Sequence, residues 1–269
     1  MAPEATWAPH DVDTTIPSAA RAYDYYLGGA HNFAVDRELA QNVARKVPHI
    51  KDIASSNRAF LRRAVRYCVD QGITQFLDIG SGIPTAGNVH EIAQEAAPGA
   101  RVVYVDNEPV AVSHSKTILE DNENATIVRG DLENPQALLD HPETRRLLDF
   151  DQPVALITVA LFHFVPESAG PCELLRAFHE RLAPGSHLCL SHLTADHHPD
   201  AVSSLIELYQ DSSNPLVART RREVAELLVD FELVEPGVAH VPEWHPDSPE
   251  DVGPDPASSI VYGAVGRKV

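Results

Sequence analysis

An acid and a glycine-rich turn follow an apolar run near residue 76, and this combination could bind a small ligand. The run Phe76–Ile79 contains Asp78 and leads into Gly80, Ser81 and Gly82. Two glycines one residue apart let the backbone turn sharply and approach a ligand that a Cβ would push away. Open α/β sheets bind ligands at the carboxyl ends of their strands, where Asp78 could orient the loop and attract an amine-bearing ligand.

A second acid closes another apolar run about 25 residues further along the chain. Asp106 ends the run Val102–Val105, and a strand-end carboxylate at this distance can accept hydrogen bonds from the two hydroxyls of a ribose. The dinucleotide fingerprint has a third glycine where this chain has Thr85, so a nicotinamide enzyme is the less favoured alternative. The two acids and the glycine turn predict a nucleoside-cofactor site.

Several stretches resemble one known class of protein. The pattern apolar-apolar-Asp-apolar-Gly-x-Gly in FLDIGSG resembles motif I of class I S-adenosylmethionine-dependent methyltransferases. FLDIGSGIPTAGNVHEIAQ, VVYVDNEPVAVSHSKTIL, ALFHFVP and the N-terminal YDYYLGGAHNFAVDRELA resemble a bacterial family of methyltransferase-like proteins over nearly the whole chain. The resemblance implies a Rossmann-like methyltransferase fold and S-adenosyl-L-methionine as cofactor, and it leaves the acceptor open.

The same resemblance implies roles for individual residues. The glycine turn would lie against the methionine portion of the cofactor, and Asp106 would clamp the ribose. Asp131 matches the position whose carboxylate accepts a hydrogen bond from the adenine amino group, with Leu132 packing on the ring. Ala160 begins the segment where the methionine and substrate pockets of the class meet. The predicted cofactor-binding residues are Asp78, Gly80, Ser81, Gly82, Asp106, Asn107, Asp131, Leu132 and Ala160.

Methyl transfer is a displacement at carbon, so alignment of the acceptor supplies much of the catalysis. A base is needed only if the acceptor must lose a proton. His163 is the best-placed base because an imidazole titrates near neutrality, and packing between its phenylalanine neighbours is the alternative. Tyr23 is the second predicted catalytic residue. Arg21, Tyr26, Asn32 and Phe162 are predicted to contact the substrate. The first three would close over the site from the N-terminal lid together with Tyr23, and the alternative is a helix that only docks on the sheet.

Hydrophobic periodicity predicts the elements that position these residues. Three helices, over 18–27, from 33 to 47 and over 48–71, precede the first strand and suit a lid. Strands are predicted at 75–79, 101–106, 125–130, 154–159, 187–193, 238–242 and 259–265, alternating with helices, the last two as an antiparallel hairpin. This alternation predicts a doubly wound, mostly parallel, seven-stranded α/β sheet. Residues 1–72 would form an N-terminal arm and helical lid, and 73–269 one core domain.

Charge and composition narrow the function. The 269 residues carry a net charge of −18, which argues against general nucleic-acid binding. Residues 37–66 hold eight Lys or Arg against two acids, while 230–256 hold eight acids and no Lys or Arg. Arg58, Arg62 and Arg66 would line one helix face, as a solvated surface meeting the acidic segment or as a patch for an anionic partner.

The cysteines, histidines and apolar runs argue against a disulfide framework, a metal site and a membrane span. Three cysteines without CxxC spacing favour reduced thiols in a cytoplasmic protein. The N-terminus lacks the pattern of a signal peptide, and the longest apolar run is too short to span a membrane. His192, His197 and His198 lack the spacing of a metal site and are interpreted as loop residues, so no metal is expected. In Trp244-His245-Pro246 a histidine replaces the arginine that the resembling family usually has, which puts a substrate contact there in doubt.

The sequence therefore predicts a cytoplasmic S-adenosylmethionine-dependent methyltransferase acting on a small-molecule acceptor. A cofactor-binding protein without transferase activity is the alternative, because ALFHF stands where amino methyltransferases carry N/D-P-P-Y/F. Partners would be the acceptor and, in a homodimer, a second copy of the chain.

Overall fold

One β-sheet organises the chain in the computed structural model, which describes residues 9–10, 12–84 and 87–269. Its strands in the described part are β1 (Gln75–Ile79), β2 (Arg101–Asp106), β3 (Ala125–Arg129), β4 (Ala155–Thr158), β5 (His187–Leu193), β6 (Glu232–Leu233), β7 (Ala239–His240) and β8 (Val261–Arg267). The order is β3-β2-β1-β4-β5-β8-β6, and β7 also pairs with β8. Strands β1 to β5 pair in parallel, whereas β6, β7 and β8 pair antiparallel. The predicted mostly parallel α/β fold is confirmed.

Helices precede the sheet and connect its strands. They are α1 (Ala19–Tyr26), α2 (Ala34–Lys46), α3 (Ile50–Asp70), α4 (Val89–Ala96), α5 (Pro109–Ile118), α6 (Pro135–Leu139), α7 (Pro142–Leu147), α8 (Pro171–Arg181), α9 (Pro199–Tyr209) and α10 (Arg221–Leu227). Helices α5 to α9 begin with proline, whose fixed φ suits the first helical turn and whose missing N–H is not needed there. Helix α3 ends before Gly72, which takes a left-handed φ of 84°.

Two hydrophobic clusters cover the two faces of the sheet. Successive strand residues such as Phe76 and Leu77 belong to different clusters because their side chains point to opposite faces. On the first face, Phe60 of α3 packs so closely on Gly263 that a Cβ there would lie 2.8 Å from its ring. Burial of β1, β4 and β5 on both faces is the pattern of a doubly wound sheet.

The described residues form eight strands rather than the seven predicted. Strand β6 escaped the sequence pattern because its two residues, both exposed, show no periodicity. Strand β7 is two residues long, since the 3₁₀ turn Val241–Glu243 follows it directly. The predicted antiparallel pairing of the last two predicted strands is found between β7 and β8.

Of the three N-terminal helices, α3 packs directly on the sheet. Val65 and Cys68 of α3 lie in the same hydrophobic cluster as Phe76 of β1. The three cysteines are free thiols, and the sulfurs of Cys68 and Cys189 lie 3.6 Å apart in the core. The division of the chain at residue 72 stays a prediction. Within the described residues, no helix combines the length and apolar character that a transmembrane span requires.

The arginines of α3 lie in different surroundings. Arg62 and Arg66 both pair with Asp247 of the acidic segment, as the solvated-face interpretation predicts. Arg63 is buried and donates to the carbonyls of Trp244 and Val241. Arg58 instead lines a cavity at the carboxyl ends of the strands.

Candidate active site

A cavity of about 570 Å³ lies at the carboxyl ends of the parallel strands. Its size suits a small-molecule ligand, and its place is where open α/β sheets hold ligands. The tips of four neighbouring strands contribute to its wall: Asp78–Ile83 at the end of β1, Asp106–Pro109 at the end of β2, Gly130–Glu133 after β3 and Val159–Leu161 after β4. The predicted cofactor residues Asp78, Gly80, Ser81, Gly82, Asp106, Asn107, Asp131, Leu132 and Ala160 all line this cavity.

The glycine turn is held by backbone hydrogen bonds to the neighbouring strand. Gly80 and Gly82 have φ of 69° and 68°, a left-handed conformation that glycine adopts without steric cost. The amides of Gly80 and Ser81 donate to the carbonyl oxygen of Val105, at 2.8 and 3.2 Å. A Cβ on Gly82 would meet no atom within 4 Å, so this glycine leaves open space beside the cavity.

Asp106 fixes the turn from the end of β2. Its Oδ2 accepts from the Gly82 amide at 2.7 Å, and its Oδ1 accepts from the Glu108 amide at 2.8 Å. Burial raises the pKa of Asp106 to about 6. The two hydrogen bonds favour the charged form and so oppose this shift. The sequence predicts that Asp78 orients the turn, whereas in the structure it is the Asp106 carboxylate that accepts from the Gly82 amide of the turn.

Asp78 lies beside this contact in a different electrostatic setting. Burial raises its pKa to about 7, the nearby positive charge of Arg58 opposes the shift, and the negative charge of Asp106 adds to it. Arg58, Asp78 and Ser81 also share the wall of a small neighbouring cavity. Asp78 therefore exchanges its proton near neutral pH.

The tips of β2 and β3 supply the remaining predicted cofactor residues. Asp131 is exposed, and its Oδ1 accepts from the Glu133 amide at 3.0 Å. Leu132, which follows Asp131 in the chain, is buried, whereas Asn107 is exposed at the rim of the cavity. An apolar surface beside a carboxylate suits a flat, hydrogen-bonding ring.

Ala160 is held in a strained conformation by a chain of hydrogen bonds. Its φ is 57°, which costs a residue with a Cβ roughly 1–3 kcal/mol. Its amide donates to Ser191 Oγ at 2.9 Å, and that hydroxyl donates to Asn57 Oδ1 at 2.7 Å. Asn57 Nδ2 then donates to the Tyr23 hydroxyl at 3.2 Å, which donates to the carbonyl of Ala54 at 3.0 Å. Helices α1 and α3 thus fix the backbone that follows β4.

His163 lines the cavity as a neutral imidazole. Burial holds its pKa well below the usual range, and the positive charge of Arg219 adds to that shift. Its ring meets Phe164 edge to face at 4.4 Å between centroids. Its buried Nδ1 has no hydrogen-bond partner among the described residues. Because the ring is unprotonated, it can accept a proton or a hydrogen bond.

A buried arginine that we did not single out from the sequence holds the loop after β4. Arg219 donates to the carbonyls of Phe162 and Val165, both at 3.0 Å, and to His192 Nε2 at 2.7 Å. His192 Nδ1 lies 2.8 Å from the Leu193 carbonyl, which fits the tautomer protonated on Nδ1. His192 lies buried in β5, within the strand predicted at 187–193, so its interpretation as a loop residue is wrong. A lone arginine in the sequence carries no signal for this role.

Three residues predicted to contact substrate lie outside the cavity lining. Arg21 is buried and donates to Asp36 Oδ2 at 2.8 Å and to Glu108 Oε1 at 3.2 Å. Asn32 donates to Asp24 Oδ2 at 2.8 Å. These contacts tie α1 to the segments around it, so the N-terminal YDYYLGGAHNFAVD motif organises the helical region.

Phe162, the third of these residues, is fully buried in the hydrophobic cluster on the second face of the sheet. Phe164, two residues further on, lines the cavity instead. Tyr23 and Tyr26 of α1 also line it. The 3₁₀ turn Phe162–Phe164 brings the second phenylalanine to the cavity.

The Trp244-His245-Pro246 segment lies against α3 rather than in the cavity lining. Trp244 is fully buried and meets Phe60 edge to face at 5.5 Å between centroids. The His245 ring stacks on Trp244 at 4.2 Å, and its Nε2 lies 2.7 Å from the Glu235 carbonyl. His245 thus has a packing contact in this chain.

The strand order and the strand-tip cavity define a class I methyltransferase fold, and comparisons with known proteins agree. A family model described as S-adenosyl methyltransferase matches residues 5–269. The chain belongs to this S-adenosyl methyltransferase family. A search of curated proteins returned no match.

Solved structures extend the likeness. A candidate methyltransferase from Thermobifida fusca YX is 37% identical, with a TM-score of 0.92, over 98% of this chain and 99% of that one. A DUF574 family protein from Streptomyces avermitilis MA-4680 is 39% identical, with a TM-score of 0.92, over 96% and 99%. Human N-acetylserotonin methyltransferase, solved in complex with SAM, shares the fold at 16% identity and a TM-score of 0.50, over 91% of this chain and 62% of that one.

Proposed function

We propose that this chain binds S-adenosylmethionine in the strand-tip cavity and transfers its methyl group to a small-molecule acceptor. The observation that carries the proposal is the contact between the Gly82 amide and Asp106 Oδ2, at 2.7 Å. This hydrogen bond holds the glycine turn and the acid at the end of β2 side by side. Together they form one wall of a cavity large enough for a nucleoside and a second molecule.

The residues present suit the parts of this cofactor. Each oxygen of Asp106 uses one lone pair on a backbone amide, which leaves the others for ribose hydroxyls. Asp131 and Leu132 offer a carboxylate and an apolar surface for adenine. Ser81 Oγ is buried beside the turn with no hydrogen-bond partner among the described residues, so a polar methionine group would satisfy it.

Bound S-adenosylmethionine supplies a methyl group made electrophilic by its sulfonium. The chain's own contribution is to exclude water and to align the acceptor beside Ala160 and His163. The low pKa of His163 keeps its ring unprotonated at neutral pH. An unprotonated ring can accept a proton from an acceptor hydroxyl, and the burial that lowers its pKa makes it a weaker base than a free imidazole, so the resulting imidazolium releases that proton readily.

Calorimetric titration with S-adenosylmethionine, S-adenosylhomocysteine and NAD tests the proposal. We expect binding of the first two and none of NAD. Asp106→Ala removes charge-assisted hydrogen bonds worth roughly 1.5–3 kcal/mol each, so affinity should fall by about tenfold or more. Asp121→Ala, a change of an exposed acid outside the cavity lining, is the matched control.

Failure of both sulfur nucleosides to bind would overturn the proposal. The proposal would also be overturned if the Asp106→Ala variant, shown to be folded by circular dichroism, bound both sulfur nucleosides as tightly as the parent protein does. Release of S-adenosylhomocysteine on addition of an acceptor would then separate a transferase from a protein that only binds the cofactor.

A further inference from the structure

The cavity extends well beyond the strand tips assigned to the cofactor. It continues past β4 to Leu193 at the end of β5 and to Ile260 and Val261 at the start of β8. Helices α1, α3 and α9 cover it there with Tyr26, Ile53 and Leu205, among others. We call this part of the cavity the acceptor end, and the part along β1 to β3 the cofactor end. The inference below rests on the proposed function, because it assigns the acceptor end to the methyl acceptor.

Charged side chains are confined to the cofactor end. Five of them are acids after β1, β2 and β3, and the sixth is a cation of α3 that acts on Asp78. They are Asp78, Asp106, Glu108, Asp131, Glu133 and Arg58. Among the described residues that line the acceptor end there is no Asp, Glu, Lys or Arg. A charged ligand placed there would lose its hydration without gaining an ionic partner, which is costly.

Most of the acceptor end is aliphatic. Six of its side chains come from the end of α1, from α3 and α9, from the loop before α10 and from the start of β8: Leu27, Ile53, Leu205, Leu216, Ile260 and Val261. All but the first are less than a tenth exposed in the protein. Each contributes apolar surface that a matching ligand would remove from water, at about 25 cal/mol per Å².

A pair of tyrosines provides directional polar groups in this apolar surround. The hydroxyls of Tyr26 and Tyr209 lie 3.3 Å apart, and either can donate to the other. Both rings are 5% exposed and line the cavity. Two hydroxyls carry two protons, and their mutual hydrogen bond uses one. The pair therefore keeps one donor proton for a ligand oxygen.

These polar groups stay uncharged at neutral pH. Burial raises the pKa of Tyr209 to about 12 and that of Tyr26 further still. His163, at the border with the cofactor end, is held neutral by burial. The acceptor end thus offers hydrogen bonds without any charge.

We propose that the methyl acceptor is an uncharged, largely apolar small molecule that bears a hydrogen-bonding oxygen, which the Tyr26–Tyr209 pair binds. Amino acids, nucleotides and phosphorylated or amine-bearing molecules do not fit this end of the cavity. The aliphatic wall holds the body of the acceptor, and the tyrosine pair sets its orientation relative to Ala160 and His163.

Three probes of one shape test the charge requirement. 1-Naphthol is neutral at pH 7, 1-naphthoate is an anion and 1-naphthylmethylamine is a cation. We would titrate each into the protein, first alone and then saturated with S-adenosylhomocysteine. 1-Naphthol should bind about tenfold or more tightly than either charged probe, which corresponds to about 1.4 kcal/mol. Equal or tighter binding of a charged probe would overturn the inference.

A double variant tests the tyrosine pair. Tyr26→Phe with Tyr209→Phe keeps both rings and removes both hydroxyls, so affinity for 1-naphthol should fall roughly three- to tenfold, the loss of about one hydrogen bond. Affinity for naphthalene, which has no oxygen, should not fall. Tyr67→Phe, a change of a half-buried tyrosine outside the cavity lining, should alter neither. Equal effects on naphthol and naphthalene would overturn the assignment of the pair.

The titrations without cofactor separate the two proposals. If S-adenosylhomocysteine does not bind but the protein still selects 1-naphthol over the charged probes, the cofactor assignment is rejected and the uncharged character of the acceptor end is kept. Binding of the nucleoside without selectivity among the three probes would reject the acceptor class and keep the proposed function.

Discussion

At the scale of single residues, the polar groups of the cavity differ mainly in how burial changes their protonation. Asp78, Asp106 and His163 all have shifted pKa values, with desolvation as the largest cause. Burial favours the uncharged form, so it raises the pKa of an acid and lowers that of an imidazole. At neutral pH the structure gives a charged Asp106, a titrating Asp78 and a neutral His163.

His163→Ala tests whether the imidazole accepts a proton. We expect S-adenosylhomocysteine affinity to change by less than about threefold, because no cofactor role is assigned to the ring. Release of S-adenosylhomocysteine with a neutral hydroxyl-bearing acceptor should slow by roughly 10²-fold or more. His163→Phe, which keeps an aromatic ring beside Phe164, is the control for packing. Full activity in His163→Phe would assign the residue to packing.

Strand-tip residues could be predicted from the sequence because their type and position each carry a signal. Asp106 ends an apolar run, and glycine is needed where φ is positive at Gly80 and Gly82. The contacts of Arg219 and Asn57 could not be predicted, since each joins residues far apart in the chain. The predicted substrate contacts of Arg21 and Asn32 are wrong, because a polar side chain of the N-terminal region has the same sequence signal whether it meets a ligand or another side chain.

At the scale of elements, the tip of β4 depends on hydrogen bonds from β5, α3 and α1. The amide of Ala160 is held by Ser191, which is held by Asn57. Since the left-handed backbone of Ala160 is costly, the contacts around it must offset that cost. The loop that follows is held independently by Arg219.

We expect Ser191→Ala to destabilise the protein by about 1–2 kcal/mol, because it leaves the Ala160 amide and Asn57 Oδ1 without this partner. Ala160→Gly should be neutral or stabilising by up to about 1 kcal/mol, since glycine tolerates positive φ. In the double variant the glycine should recover part of the loss. Urea unfolding of the parent, the two single variants and the double variant measures these differences. A Ser191→Ala protein as stable as the parent would contradict the proposed role of the hydrogen bonds that hold Ala160.

Element bounds were predicted best where turn signals bound a buried segment on both sides. The sequence interpretation of β1, β2 and β5 coincides with the structure, whereas β4, which is equally buried, is one residue shorter at each end than predicted. β8 begins two residues later than predicted, after the turn Pro256–Ser259. Strand β6 was missed because pairing with β8, and not its own exposed side chains, makes it a strand.

At the scale of the whole molecule, the buried acids link folding to pH. An unfolded chain ionises Asp near pH 3.8, whereas the pKa is about 7 for Asp78 and about 6 for Asp106 in the fold. Between these values the folded state binds more protons than the unfolded state. The free energy of unfolding therefore decreases as pH rises from about 4 to about 7, as far as these two groups contribute.

Asp78→Asn should remove part of that dependence. We expect the cofactor-free variant to be more stable than the parent at pH 8, on the order of 2 kcal/mol, and the gain to shrink towards pH 5. Asp121→Asn, at an exposed site, should show no such trend. The measurement is the difference in the free energy of unfolding at pH 5, 6.5 and 8, and a difference that is constant across this range would refute the linkage.

The strand order also separates the two ends of the cavity on different parts of the chain. The cofactor end is built mostly by Asp78–Ile83, Asp106–Pro109 and Gly130–Glu133, and the acceptor end mostly by α1, α3, α9, the loop at 213–216 and the start of β8. Redesign of acceptor selectivity can therefore proceed by substitution at Leu205, Leu216 or Ile260 while the nucleoside contacts stay untouched. Such a division makes the scaffold suited to diversification, because a library of acceptor-end variants keeps one donor molecule and one binding assay in common.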